Sequence, residues 1–63
     1  MMKWNEILVK LRENKSIAEV AEAVNSSPDT YMAYERGERE PKQLVKKGIA
    51  EYFNVDQSYI WPI

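Results

Sequence analysis

Thr30-Tyr31-Met32-Ala33-Tyr34-Glu35-Arg36-Gly37-Glu38-Arg39-Glu40-Pro41 is the stretch on which the fold turns. Tyr31 and Tyr34 stand three residues apart, the interval that sets two side chains on one face of a helix. Gly37 stops that helix, and Pro41 permits the next one to start. Immediately upstream, Ser27 is a good N-cap and Pro28 a favoured first helical residue, which predicts a helix over about 28–35.

The preceding segment supplies a partner for it. Ser16-Ile17-Ala18-Glu19 fits a capping box, in which Ser16 accepts from the Glu19 amide and the Glu19 carboxylate reaches back. A short helix follows, with Val20, Ala21 and Val24 as its inner face, and Asn25 suits the left-handed position just past its end. Ala21, Asn25, Tyr31 and Tyr34 are therefore spaced by four, six and three residues. A helix-turn-helix needs a small residue where its two helices cross, a turn residue tolerant of positive φ, and apolar residues on the inner face of the second helix. All three demands are met in order, which places such a motif at about 17–35.

Beyond this unit the pattern stays helical. Trp4, Ile7, Leu8 and Leu11 recur at i, i+3, i+4 and i+7, predicting an amphipathic first helix over about 3–13 that Asn14-Lys15 breaks. Leu44/Val45, Gly48/Ile49 and Tyr52/Phe53 repeat every four residues, giving a fourth helix of about 42–53. Gly48 costs that helix about 1 kcal/mol against alanine, which suggests close approach of another element. Asn54-Val55-Asp56 reads as a turn, with Asp56 a cap for a last short helix that Pro62 ends. No segment alternates as a strand, and no linker or repeat divides the chain. The expectation is an all-α domain of five helices occupying residues 1–63.

Composition narrows the chemistry. The 63 residues include no cysteine and no histidine, which removes thiolate and imidazole metal ligands and the commonest general base. Ser26 and Ser27 read as turn and cap, since no histidine is present to activate either as a nucleophile. Gly37 and Gly48 are the only glycines, too few for a phosphate-cradling loop. Glu6, Glu13, Glu19 and Glu22 read as solvated helix faces and not as an acid–base pair. The expectation is a non-enzyme with no cofactor, no metal and no small-molecule substrate. No apolar run approaches the roughly 18–20 residues that span a bilayer, and Met1-Met2-Lys3-Trp4-Asn5-Glu6 lacks signal-peptide character. A cytoplasmic protein without membrane contact is expected.

The net charge of −1 is unusual for a nucleic-acid binder, because phosphate neutralisation supplies most of such affinity. Residues 1–40 carry six Lys/Arg against eight Asp/Glu, whereas residues 41–63 carry three Lys against two acids. Any basic surface must be a local patch.

The Thr30–Pro41 run resembles the phage repressor and Cro-type family, the xenobiotic-response-element class of regulators. Members show a Thr-apolar-x-x-apolar-Glu-x-Gly stretch, then a basic residue, a proline and an amphipathic helix. The resemblance covers about 4–61 and implies a compact five-helix lambda-repressor-like domain that binds double-stranded DNA as a homodimer. Thr30 and Glu35 would fix the recognition helix and its following loop. Ser27-Pro28-Asp29-Thr30 would enter the major groove, with Pro28, Asp29, Met32 and Ala33 facing the bases. Asp29 can accept from a cytosine amine, and Met32 or Ala33 can touch a thymine methyl. None of the four makes the arginine fork to guanine, and Arg36 is expected to pack or to pair with a nearby carboxylate.

Phosphate contacts are expected from Lys15, Ser27, Arg39, Lys42 and Lys46. Two positions depart from the family: Ile17 stands where a phosphate-binding glutamine is usual, and Lys15 where an apolar residue is usual. The C-terminal group Tyr59, Ile60, Trp61 and Ile63 suggests a dimer contact, with closure of the core beside Trp4 as the alternative. The competing function is a helix-turn-helix fold that serves a protein partner through its acidic balance and the apolar Pro28, Met32 and Ala33.

Overall fold

The structure, a computed structural model, describes residues 2–62. Five helices follow one another: α1 (Trp4–Arg12), α2 (Ile17–Ala23), α3 (Pro28–Arg36), α4 (Gln43–Phe53) and α5 (Gln57–Ile60). The described residues contain no strand, so the all-α expectation holds.

The ends of the helices show why each forms where it does. At α1 the Lys3 amide donates to the Glu6 carboxylate over 2.9 Å, satisfying one of the donors a helix leaves free at its start. The chain leaves α1 at Glu13, with φ 52° and ψ −116°, ahead of the predicted break at Asn14-Lys15. Ser16 caps α2 by accepting from the Glu19 amide at 3.0 Å. Only that half of the expected capping box forms, because the Glu19 side chain is exposed and makes no return bond. Asn25 adopts φ 58° as the turn requires, and the Ser26 amide folds back onto the Ala21 carbonyl at 2.8 Å. Ser27 caps α3 through the Thr30 amide, Pro28 occupies the first turn, and Gly37 closes the helix at φ 74°. Asp56 takes the N-cap place of α5, but its side chain makes no cap bond.

The core collects one or two residues from every helix. Leu8, Val20, Ala21, Tyr31, Ile49 and Ile60 are fully buried, and Tyr34 and Trp61 nearly so. Trp4, Ile7, Leu11, Val24, Val45, Tyr52, Phe53 and Val55 pack around them half-buried. Each fully buried Val, Leu or Ile side chain contributes about 1.5–3 kcal/mol by leaving water. With no cysteine to form a disulfide, these contacts carry the stability of a chain this small.

Two expectations about α4 and α5 are corrected. A Cβ on Gly48 would meet nothing within 4 Å, so no element approaches it closely and its cost to the helix is uncompensated inside the domain. Ile60 is fully buried, and Trp61 packs against Trp4 with ring centroids 6.0 Å apart. Both therefore close the core beside Trp4 and offer little to a second subunit. Tyr59 stays exposed, and Ile63 lies outside the described residues.

Candidate nucleic-acid interface

Packing fixes which side of α3 can meet a ligand. Tyr31, Tyr34 and Glu35 face inward and are buried, with the two tyrosine rings edge-to-face at 6.3 Å. Ala21 lets α3 cross α2 closely because it carries a single methyl where the helices meet, and it is fully buried. Away from this side, Asp29 and Arg36 are exposed and Met32 and Ala33 half-exposed, and Pro28 is exposed at the start of the helix. The four expected base-facing residues thus share the outer face of α3. Asp29 lies in the first turn, where its charge also favours the helix macrodipole.

A polar clasp, not foreseen in the sequence, fixes the far end of α3. Arg12 on α1 grips the Glu35 carboxylate with two bonds, Nε to Oε2 at 2.7 Å and Nη2 to Oε1 at 3.1 Å. Its third arm, Nη1, donates to the Lys15 carbonyl at 2.9 Å and so holds the entrance to α2 as well. Asn5 adds a bond from Nδ2 to the Glu35 carbonyl at 3.2 Å, and its side chain lies against Gly37. The pairing with Glu35 raises the Arg12 pKa above its ordinary value, against a smaller opposing effect of burial. One guanidinium thereby ties α1, the segment entering α2 and the end of α3 into a single frame. Sequence spacing gave no local clue, since the partners are 23 residues apart. The available signal was Glu35 itself: a charge four residues after the buried Tyr31, on the same inner stripe, needs a partner.

The Tyr31 hydroxyl sits at the edge of this clasp without a protein hydrogen-bond partner. Burial, reinforced by the nearby Glu35 charge, pushes its pKa well above the ordinary tyrosine value. It stays neutral and belongs to the core.

The predicted cations divide into two groups. Lys15, Arg39 and Lys42 are exposed, and none is in an ion pair among the described residues. Ser27 is exposed as well, with its hydroxyl at 2.9 Å from the Thr30 hydroxyl and committed to the cap. Lys46 differs. Its ammonium meets Glu40 at 2.6 Å and lies 5.4 Å from the centre of the Trp61 ring, and its side chain is only 16% exposed. The fold uses this lysine to cover Trp61, so the expectation that it grips phosphate is not supported by its placement. Arg36 also departs from expectation. It is exposed, and the carboxylate beside it in sequence is already taken by Arg12.

A cleft of about 510 Å³ opens among the N-terminal part of α1, the start of α4 and α5. Trp4, Ile7 and Trp61 form part of its apolar wall, and Tyr59 lies at its lining. No residue of α2 or α3 contributes to it, so it is separate from the outer face of α3.

A family model described as helix-turn-helix matches residues 8–60, most of the chain and all of the α2–turn–α3 unit. The chain belongs to the helix-turn-helix family of phage repressor and Cro type. Members of this family are DNA-binding regulators. No curated protein and no solved structure gives a significant match to this helix-turn-helix chain. Among the described residues, no helix is long and apolar enough to cross a membrane.

Proposed function

We propose that this protein is a sequence-specific regulator of transcription that binds double-stranded DNA as a homodimer, with α3 in the major groove and without a cofactor. The observation that carries the reading is the division of α3 into a clamped inner face and a free outer face. Tyr31, Tyr34 and Glu35 hold the helix, while Pro28, Asp29, Met32 and Ala33 are left for base edges. Lys15, Arg39 and Lys42 supply the phosphate contacts, joined by the backbone amides at the start of α3. Of the residues expected at a subunit contact, Tyr59 is the described one that stays exposed. The family resemblance suggests an origin in a phage or mobile element and an intracellular place of action.

The second reading, a protein-interaction module on the same fold, is favoured by the net charge of −1 and by the apolar character of Pro28, Met32 and Ala33. Fluorescence anisotropy with a random-sequence duplex pool over a salt series separates the two. DNA binding predicts an affinity that falls steeply with salt, with a slope shallower by about one ion in Arg39→Ala. A folded protein that binds no duplex even at about 50 mM salt would leave the protein-partner reading standing.

A further inference from the structure

Arg36 is a long cation at the end of the recognition helix, and three observations make it available. It is exposed, it joins no ion pair among the described residues, and Glu35 beside it is held by Arg12. Its own helix offers no acid at the preceding i−3 and i−4 positions, which are Ala33 and Met32. Glu40, four residues onward, is engaged by Lys46.

Direction distinguishes Arg36 from the other free cations. With 3.6 residues per turn, Pro28, Met32, Arg36, Asp29 and Ala33 fall at about 0°, 40°, 80°, 100° and 140° around the α3 axis. The buried Tyr34, Tyr31 and Glu35 fall at about 240°, 300° and 340° on the same scale. Arg36 therefore occupies the middle of the outward sector, nearly opposite the core. Lys15, Arg39 and Lys42 lie off α3 altogether, in the segment before α2, the loop after α3 and the N-cap of α4.

Length matters too. Arg36 is eight residues beyond Pro28, or about 12 Å along the helix axis. A recognition helix meets the bases mainly through its N-terminal residues, so a short side chain this far along would fall short of the groove floor. An arginine bridges that gap, and its planar fork matches the O6 and N7 acceptors of guanine.

We infer that Arg36 reads a guanine in each half-site, supplying the bidentate base contact that Pro28, Asp29, Met32 and Ala33 cannot make. The inference rests on the DNA-binding reading and deepens it by naming a specificity residue and the base it selects.

The test begins with duplexes selected by the unaltered protein from a random pool, then replaces each guanine in turn by 7-deazaguanine, which lacks the N7 acceptor. At one guanine per half-site, the replacement is expected to weaken the unaltered protein about tenfold or more. Arg36→Ala, folded because the site is exposed, should bind more weakly and be indifferent to replacement at that guanine. Three results overturn the inference. Arg36→Ala binds selected duplexes as well as the unaltered protein does. Alternatively, it weakens every sequence equally and lowers the salt slope by about one, which marks a phosphate contact. In the third, Arg36→Ala remains as sensitive to each deazaguanine as the unaltered protein. Failure of the unaltered protein to select any duplex is a different result, because it removes the DNA-binding reading itself.

Discussion

The two ends of this domain are held by different kinds of force. Around α3, the decisive contacts are directional. Arg12 reaches Glu35 with two bonds and Lys15 with a third, and Asn5 bonds the Glu35 carbonyl. Around α5, the decisive contacts are broad and largely apolar: Trp61 against Trp4 and Ile60 in the core, with the Lys46 ammonium over the outer face of the Trp61 ring. Hydrogen bonds lose their strength when geometry shifts, whereas apolar burial depends mainly on area. The α3 helix is thus fixed in orientation by part-buried polar bonds, whereas α5 adds to its apolar packing one exposed bond, Gln43 Nε2 to Gln57 Oε1 at 3.1 Å.

Conservative substitutions are the sharpest way to break this comparison, and the largest effect is expected at Arg12. Glu35 has a side chain only 7% exposed, so Arg12→Ala strands a carboxylate that water barely reaches. The loss is expected to be about 3 kcal/mol, the lower end for breaking a buried pair, because Arg12 itself is partly solvated. Lysine has one ammonium and cannot span Glu35 and the Lys15 carbonyl together, so Arg12→Lys should recover less than half of the loss. At the other end, Trp61→Phe keeps an aromatic body beside Trp4 and should cost clearly less than Arg12→Lys relative to its own alanine variant. Urea unfolding of the four variants checks the pattern, and equal tolerance at both ends would remove the distinction.

How much of this was legible in the sequence follows the same division. The helices were readable because period and caps are local. Ser27-Pro28 and Gly37 bound α3, and Asn25 supplies the positive φ between α2 and α3. The outer face of α3 followed from the same periodicity, together with the family resemblance. The Arg12–Glu35 clasp was not legible, since nothing local selects one partner among several charges 23 residues away. Placement of Ile60 and Trp61 was likewise undecidable from apolarity alone, because a core and a subunit contact ask for the same residues. Lys46 is paired and Arg36 is exposed, both against expectation, for one reason. A cation's job depends on which carboxylates and rings tertiary folding brings near it, and that information is not in its neighbours along the chain.

The two glycines sharpen the comparison further, and their alanine variants are expected to move stability in opposite directions. Gly37 ends the clasped helix at φ 74°, and a Cβ there would stand 3.1 Å from Asn5 Cγ. Left-handed backbone costs a residue with a Cβ about 1–2 kcal/mol, and displacing Asn5 also threatens its bond to Glu35. Gly37→Ala should therefore destabilise by about 2 kcal/mol. Gly48 lies within α4, with nothing within 4 Å of an added Cβ. Gly48→Ala should stabilise by up to about 1 kcal/mol through helix propensity alone. Thermal unfolding of both variants decides it. A loss at Gly48 would mean that some contact outside the domain, such as a second subunit, uses the bare backbone there.

The smallest effect concerns Tyr31, the aromatic side chain that belongs to both kinds of packing. Its ring fills the core, yet its hydroxyl lies beside the clasp without a protein partner. Burial first, and the Glu35 charge second, raise its folded pKa above the unfolded value near 10. Below about pH 10 both states keep the proton, so the group adds no pH dependence there. Above that, the unfolded chain releases the proton while the folded one retains it. Stability therefore falls by up to about 1.4 kcal/mol per pH unit until the folded group titrates. Phenylalanine fills the same space and carries no proton. Tyr31→Phe should be at least as stable as the unaltered protein near neutrality, and its advantage should grow by about 1 kcal/mol by pH 11. Urea melts of the pair at pH 7, 10 and 11 measure that divergence. Parallel curves would mean that the hydroxyl reaches solvent when it ionises, and that the core beside the clasp is looser than its burial indicates.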